Sequence, residues 1–279
     1  MKLSPKGRFF LVGCPRSGTT LLQSLLAAHP EIASFPESYF FTRLVPEYEP
    51  RRFALGIASK RTKPRFEQFL HDIGRPEMIK ILPLFAFSMS QYTRTFVEVL
   101  DRVTEEQGKR IWIEKTPRHL YYIDYIENLI KQVKFLHIIR NGEDVVASLY
   151  EVTHQHPKAW LGELDIDECI CQWLKAIQVS RTYLSKANHA FVRYEHLVEA
   201  PESVLTRICK FLGVDFNQSM LESYSSTAKQ VILAREPWKA SVSGKIKNAN
   251  SKKFYELFTE KQRQYIIDKL REVNLNDFS

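Results

Sequence analysis

Phe9-Phe10-Leu11-Val12-Gly13-Cys14-Pro15-Arg16-Ser17-Gly18-Thr19-Thr20 is the stretch that decides the fold. A short β-prone run leads into a turn with a glycine at each end. Leu21, Leu22, Leu25 and Leu26 then recur at helical spacing up to His29-Pro30, where a helix must stop. A glycine turn between a strand and a helix exposes consecutive backbone N–H groups beside a helix N-terminus, and so attracts anionic oxygens. The turn matches the phosphate-binding pattern G-x-x-x-x-G-K-[ST] in both glycines and in Thr20, but Thr19 stands where the lysine belongs. That lysine bridges the β- and γ-phosphates of a magnesium nucleotide, so its replacement argues against an ATPase, a GTPase or an ordinary kinase. Arg16, Ser17, Thr19, Thr20 and the backbone remain as donors, and a phosphate-like group is still a fitting guest.

Three further β-like runs follow at Ile111 to Ile113, Val133 to Ile139 and Ala190 to Arg193, with helical patterns after the first two at about 118–131 and 143–152. Such alternation predicts a three-layer α/β fold with a central parallel sheet of four to five strands and helices on both faces. Helices are also expected at about 167–186, 201–212 and 260–273. No repeat and no Gly/Ser-rich linker divides the chain, so residues 1–279 read as one domain. Residues 39–109 interrupt the pattern with predicted helices at about 65–73 and 91–107 and no clear strand. They read as a mostly helical insertion over the sheet's edge, where an α/β protein builds its second substrate pocket. The insertion holds eleven aromatic residues, most of which core packing explains.

With 279 residues, 44% of them hydrophobic and 26% charged, and only 23 glycines plus prolines, the chain is globular, not disordered or collagenous. Its longest strongly apolar run, Ile81 to Phe87, is far short of the ~20 residues that span a bilayer. Met1 to Arg8 is polar and lacks the pattern of a signal peptide, so a cytoplasmic protein without a membrane span is expected. Four cysteines make neither a disulfide framework nor a zinc site, and no paired-histidine motif predicts a metal. The net charge of +8 fits nucleic acid, an anionic membrane or a small polyanion and does not choose among them. Lys229 to Lys253 carries seven basic residues against one acid, Glu236, a pattern that by itself reads as a solvated face.

The turn G-x-P-R-S-G-T-T at 13–20 resembles the 5'-phosphosulfate loop of sulfotransferases that use 3'-phosphoadenosine 5'-phosphosulfate (PAPS), in the bacterial, tyrosylprotein and Golgi-type branches. The resemblance spans about Phe9 to Leu212 and implies a P-loop NTPase-like fold. It also implies in-line transfer of a sulfuryl group to a hydroxyl or amine acceptor, with 3'-phosphoadenosine 5'-phosphate (PAP) as product and no metal. On this resemblance Pro15, Arg16, Ser17, Gly18, Thr19 and Thr20 hold the 5' end of the nucleotide. Arg140 and Ser148 fit the family's R-x-x-x-x-x-x-x-S motif for the 3'-phosphate, with Asn141 as helix cap and Asp144 placed to orient Arg140. Tyr194, in Val192-Arg193-Tyr194-Glu195-His196-Leu197, resembles a Y-E-x-L segment near the nucleotide, and Lys245 falls where a nucleotide-gripping loop is expected.

For the chemistry, Glu37 occupies the position of the family's catalytic glutamate. A base there needs a pKa raised by partial burial and moderated by nearby cations. Lys115, in Glu114-Lys115-Thr116-Pro117, would steady the departing phosphate, and Arg16 acts as a fixed charge. His119, His154 and His156 stand as rival bases. A P-loop kinase or nucleotide hydrolase keeps the loop but explains neither Thr19 nor the Arg140/Ser148 pair. A basic nucleic-acid-binding module needs a recognition helix or stacking motif, and neither is found. The acceptor, whether small molecule, glycan, lipid or peptide, and the oligomeric state stay open.

Overall fold

The computed structural model describes residues 7–239 and 252–278. Strand β1 (Gly7–Gly13) alternates between two apolar clusters. Phe9 and Leu11 join Leu22, Leu25 and Leu26 on one side, while Phe10 and Val12 join Trp112 and Phe135 on the other. A strand apolar on both faces needs cover on both, which helical crossovers supply.

The chain continues through α1 (Thr19–Ala27), β2 (Ile32–Phe35), α2 (Phe40–Leu44), α3 (Pro50–Ala54), α4 (Thr62–Asp72), α5 (Met89–Glu106), β3 (Ile111–Lys115) and α6 (Ile123–Leu129). It then forms β4 (Val133–Ile139), α7 (Gly142–Gln155), α8 (Pro157–Trp160), α9 (Ile166–Arg181), β5 (His189–Arg193), α10 (Tyr194–Glu199) and α11 (Pro201–Leu212). Last come α12 (Ser219–Glu222), α13 (Tyr224–Val231), α14 (Lys252–Leu257) and α15 (Glu260–Leu270).

The five strands are all parallel in the order β2-β3-β1-β4-β5, so the expected three-layer α/β architecture is present with the larger of the two expected strand numbers. Helices α1, α11, α12 and α13 cover one face; α2, α7, α9 and α15 are among those covering the other. β1 lies between β3 and β4, so the chain reverses its direction of winding at the carboxyl end of β1, and there a crevice opens.

Residues 39–109 contain α2 to α5 and one isolated bridge, Ile57 to Ser88. Phe40, Phe41, Phe66, Phe69 and Phe96 are buried together, with Phe40 and Phe96 stacked at 4.1 Å. Each such ring contributes about 1.5–3 kcal/mol by leaving water. Ser88 and Gln91 form a capping box, which starts α5 two residues earlier than the apolar spacing indicates.

Three expectations are corrected. The helix expected over 118–131 opens as a 3-10 turn at Pro117–Tyr122 before α6. The helix expected to 186 ends at Arg181, because Tyr183 turns in to stack on His189 at 4.7 Å and donate to Asp124. Asn141 makes no side-chain cap on α7; its backbone N–H instead donates to Glu195 at 2.8 Å. All four cysteines are free, and among the described residues no helix is long and apolar enough to cross a membrane.

Candidate active site

Each of the five strands delivers a candidate residue at its carboxyl end: Glu37 follows β2, Lys115 ends β3, the glycine loop follows β1, Arg140 follows β4 and Tyr194 follows β5. Parallel strands place these ends on one edge of the sheet, so residues far apart in sequence face one another there.

The loop itself is tight. Ser17 N–H donates to the Cys14 carbonyl at 3.2 Å, and Arg16 adopts a left-handed φ of 72°. Gly18 has φ 92°, and a Cβ there would lie 2.3 Å from the Tyr194 ring, so glycine is required by both conformation and space. Ser17 Oγ is buried and has no hydrogen-bond partner among the described residues, an orphaned donor beside the open first turn of α1. These features fit an anionic oxygen.

Arg16 Nε donates to Ser148 Oγ at 3.0 Å, and Arg140 Nη1 donates to the Arg16 carbonyl at 3.4 Å. The Arg140 guanidinium lies 4.2 Å above the Tyr194 ring and 3.8 Å from Asp144. The two motifs therefore meet in one cradle. Burial and the neighbouring Arg140 both push the Arg16 pKa down, and two guanidinium groups held this close together favour an anion between them.

Glu37 is buried under three partners. Lys115 and Lys239 both direct their ammonium groups onto Oε1, Lys239 at 2.7 Å, and Lys239 also pairs with Glu236. Arg65 Nη2 donates to the Glu37 carbonyl at 2.7 Å. Burial alone would raise the Glu37 pKa, but the two ammonium groups outweigh it and hold the carboxyl well below the usual range. The expected raised pKa is therefore corrected. Burial pushes Lys115 down to about 8 despite the carboxylate beside it, whereas Lys239, between two carboxylates, is raised in spite of burial.

Beneath this cluster Glu114 Oε1 accepts from Ser38 N–H at 3.1 Å, Ser38 Oγ at 2.7 Å and Thr116 Oγ1 at 2.6 Å, pinning the turn that carries Glu37. Its other oxygen is 2.9 Å from His119 Nδ1, while His119 Nε2 accepts from Phe41 N–H. Both nitrogens of this fully buried ring are engaged, which removes His119 from the candidate bases.

A single cavity of about 1610 Å³ is lined by Pro15, Arg16, Gly18, Thr19, Thr20, Glu37, Arg140, Ser148 and Tyr194, and extends to Tyr121, Trp160 and Trp238. Ser17 sits just behind its wall. Lys115 does not reach the cavity, because Glu37 and Lys239 cover it. Lys245 lies outside the described residues.

Lys239 and Arg65 escaped the sequence reading. The single acid of the basic stretch, Glu236, three residues before Lys239, is the one local sign that this lysine is paired inward.

The geometry describes an α/β scaffold with a polyanion cradle at its switch point, and comparison with known proteins places it. Residues 8–218 match the model of the Sulfotransferase family, and the chain belongs to that family. It is 30% identical over 218 residues to Protein-tyrosine sulfotransferase 2 of Gallus gallus, covering 76% of this chain and 52% of that protein. It is 28% identical over 229 residues to the nodulation protein NoeE of Sinorhizobium fredii, covering 74% and 50%. The chain thus spans about half the length of these curated relatives. The sulfotransferase domain of the Synechococcus PCC 7002 olefin synthase superposes with a TM-score of 0.64 at 22% identity over 98% of this chain and 96% of that one. The sulfotransferase domain from the curacin biosynthetic pathway superposes with a TM-score of 0.61 at 23% identity, covering 96% and 98%. At these identities the likeness establishes the shared fold.

Proposed function

We propose that this chain transfers a sulfuryl group from PAPS to a hydroxyl or amine acceptor, as one domain over residues 1–279 with a helical insertion at 39–109. The observation that carries the reading is the contact of Arg16 with Ser148 and of Arg140 with the Arg16 carbonyl, which joins the two anion motifs into one surface. PAPS supplies the sulfuryl group and a phosphate leaving group. The turn at 13–20 binds the 5' end through backbone N–H groups, Ser17 and Thr20. Arg140 and Ser148 bind the 3'-phosphate, and Tyr194 walls the cradle against Gly18.

Positioning and charge stabilisation dominate transfers of this kind. Arg16 is the fixed charge. Lys115 and Lys239 neutralise Glu37 while the site is at rest. When Lys239, which lines the cavity, turns toward an anion in the loop, its hold on Glu37 loosens and the carboxylate can take the acceptor's proton. The acceptor lies in the arm lined by Tyr121, Trp160 and Trp238, flat walls suited to a ring. The free cysteines suit a reducing compartment, which supports a cytoplasmic location.

Thermal shift tests the reading, with the bisphosphate added in EDTA and ATP added with excess magnesium in a separate arm. Adenosine 3',5'-bisphosphate should stabilise the protein, magnesium-ATP should not, and Arg140→Ala should abolish the shift. A response confined to magnesium-ATP would overturn it. A screen of acceptors with labelled PAPS then identifies the acceptor class.

A further inference from the structure

The apolar run Ile81 to Phe87 plays no part in the site and is only partly in the core. Ala86 N–H donates to the Pro83 carbonyl at 2.9 Å, closing a turn whose corners are Leu84 and Phe85, 89% and 83% exposed. Turn corners ordinarily carry Gly, Pro, Asn, Asp or Ser. Phe87 follows at 60% exposure. Ala58 N–H donates to the Phe87 carbonyl at 2.8 Å and Met89 N–H to the Gly56 carbonyl at 3.0 Å, which lays this loop beside Leu55, itself 73% exposed.

The flanking charge is predominantly basic, with Glu47 and Glu77 as exposed acids at the ends of the two segments. Between residues 48 and 63, Arg51, Arg52, Lys60, Arg61 and Lys63 face a single acid, Glu49, which is already engaged by Ser59 and Arg52. Between 80 and 90 the one charged residue is Lys80.

We infer that this face docks on an anionic phospholipid surface. Large apolar side chains standing proud of the fold at the tip of a turn, rimmed by lysine and arginine, match a fluid interface that accepts a convex tip and attracts basic groups. A protein partner would need a complementary hollow. Tyr48, Lys60 and Arg61 also line the cavity described above, so docking sets the cavity mouth against the lipid headgroups. The inference goes beyond the sulfuryl-transfer reading and does not depend on it.

Co-sedimentation of the full chain with vesicles of phosphatidylcholine alone, and of phosphatidylcholine with phosphatidylglycerol, tests it. Retention on the anionic vesicles should be roughly tenfold higher or more, and should fall with added salt. The variant L84D/F85D/F87D should lose that retention while keeping the wild-type melting temperature. Where the triple variant fails to fold, Phe85→Trp serves instead, with an emission that should shift to the blue on anionic vesicles alone. Equal retention of the triple variant and the wild type, or no blue shift, overturns the inference. So does absence of wild-type retention on anionic vesicles, which is the result a docking face for an acidic protein would give. No sulfuryl donor enters the measurement, so its failure leaves the proposed activity standing.

Discussion

Lys239 Nζ stands 2.7 Å from Glu37 Oε1, on the same oxygen that Lys115 contacts, across 202 residues of chain. The carboxylate proposed as base is thus neutralised at rest by two ammonium groups, one from β3 and one from the basic segment.

Glu37→Gln should lower turnover by about 10²–10⁴-fold while leaving the thermal shift with adenosine 3',5'-bisphosphate in place. Transfer of label from PAPS reads the first and differential scanning fluorimetry the second. Lys239→Ala removes one of the groups holding the Glu37 pKa down, so the acid limb of the kcat/KM profile should move to higher pH. An unmoved acid limb would show that the Lys239 contact has no bearing on the base.

Lys115 gives a basic limb. Its pKa of about 8 means that the folded protein loses this charge as pH rises past that value, and turnover should fall there. The unfolded chain keeps the proton up to about 10.4 and so binds more protons across that interval. Stability from this group therefore rises with pH in the same window in which activity falls. Lys115→Arg, which stays charged, should carry the activity limb to higher pH. Coincident pH profiles for the two proteins would contradict the assignment.

His137 and His189 form a second buried pair, 2.9 Å apart, with His189 bound to Glu127 and His137 to Ser180. Burial lowers both pKa values, and the neighbouring His189 lowers that of His137 further. Protonation then belongs to the unfolded chain: stability is full above the ordinary histidine value of ~6.5 and declines as pH falls below it, by up to about 1.4 kcal/mol per unit for each ring. Urea midpoints on either side of that value measure the slope, and His137→Asn should reduce it.

Gly18→Ala places a methyl group against Tyr194 at a left-handed φ, and a loss of about 2–4 kcal/mol in urea unfolding is expected. Gly74→Ala, at φ 70° with no atom within 4 Å of the added carbon, carries the conformational cost alone, about 1–2 kcal/mol. Only the first should also abolish stabilisation by the bisphosphate. Equal losses would mean that the contact with Tyr194 is soft.

Residues 13–20 were legible because a strand, a glycine turn and a helix are local, and the conformation of such a turn is specified by its own sequence. Arg140 and Ser148 were found through the resemblance to the family's R-x-x-x-x-x-x-x-S motif, which they carry within one strand-to-helix junction. Arg65 and Lys239 were not, since each takes its meaning from Glu37, a residue outside its own segment. Neither was the sign of the Glu37 shift, which is the balance of a burial that raises and two cations that lower.

By itself the sequence determined the parallel α/β scaffold, the strand–glycine turn–helix of the candidate anion loop and the order in which the candidate site residues arrive, because periodicity and turn chemistry act over a few neighbours. Only the tertiary structure decided that Arg16 touches Ser148, that Lys115 is sealed from the cavity, and that Leu84 and Phe85 stand outside the core. Distance and burial, which set these outcomes, depend on how five strand ends and the segments between them are brought to one edge of the sheet.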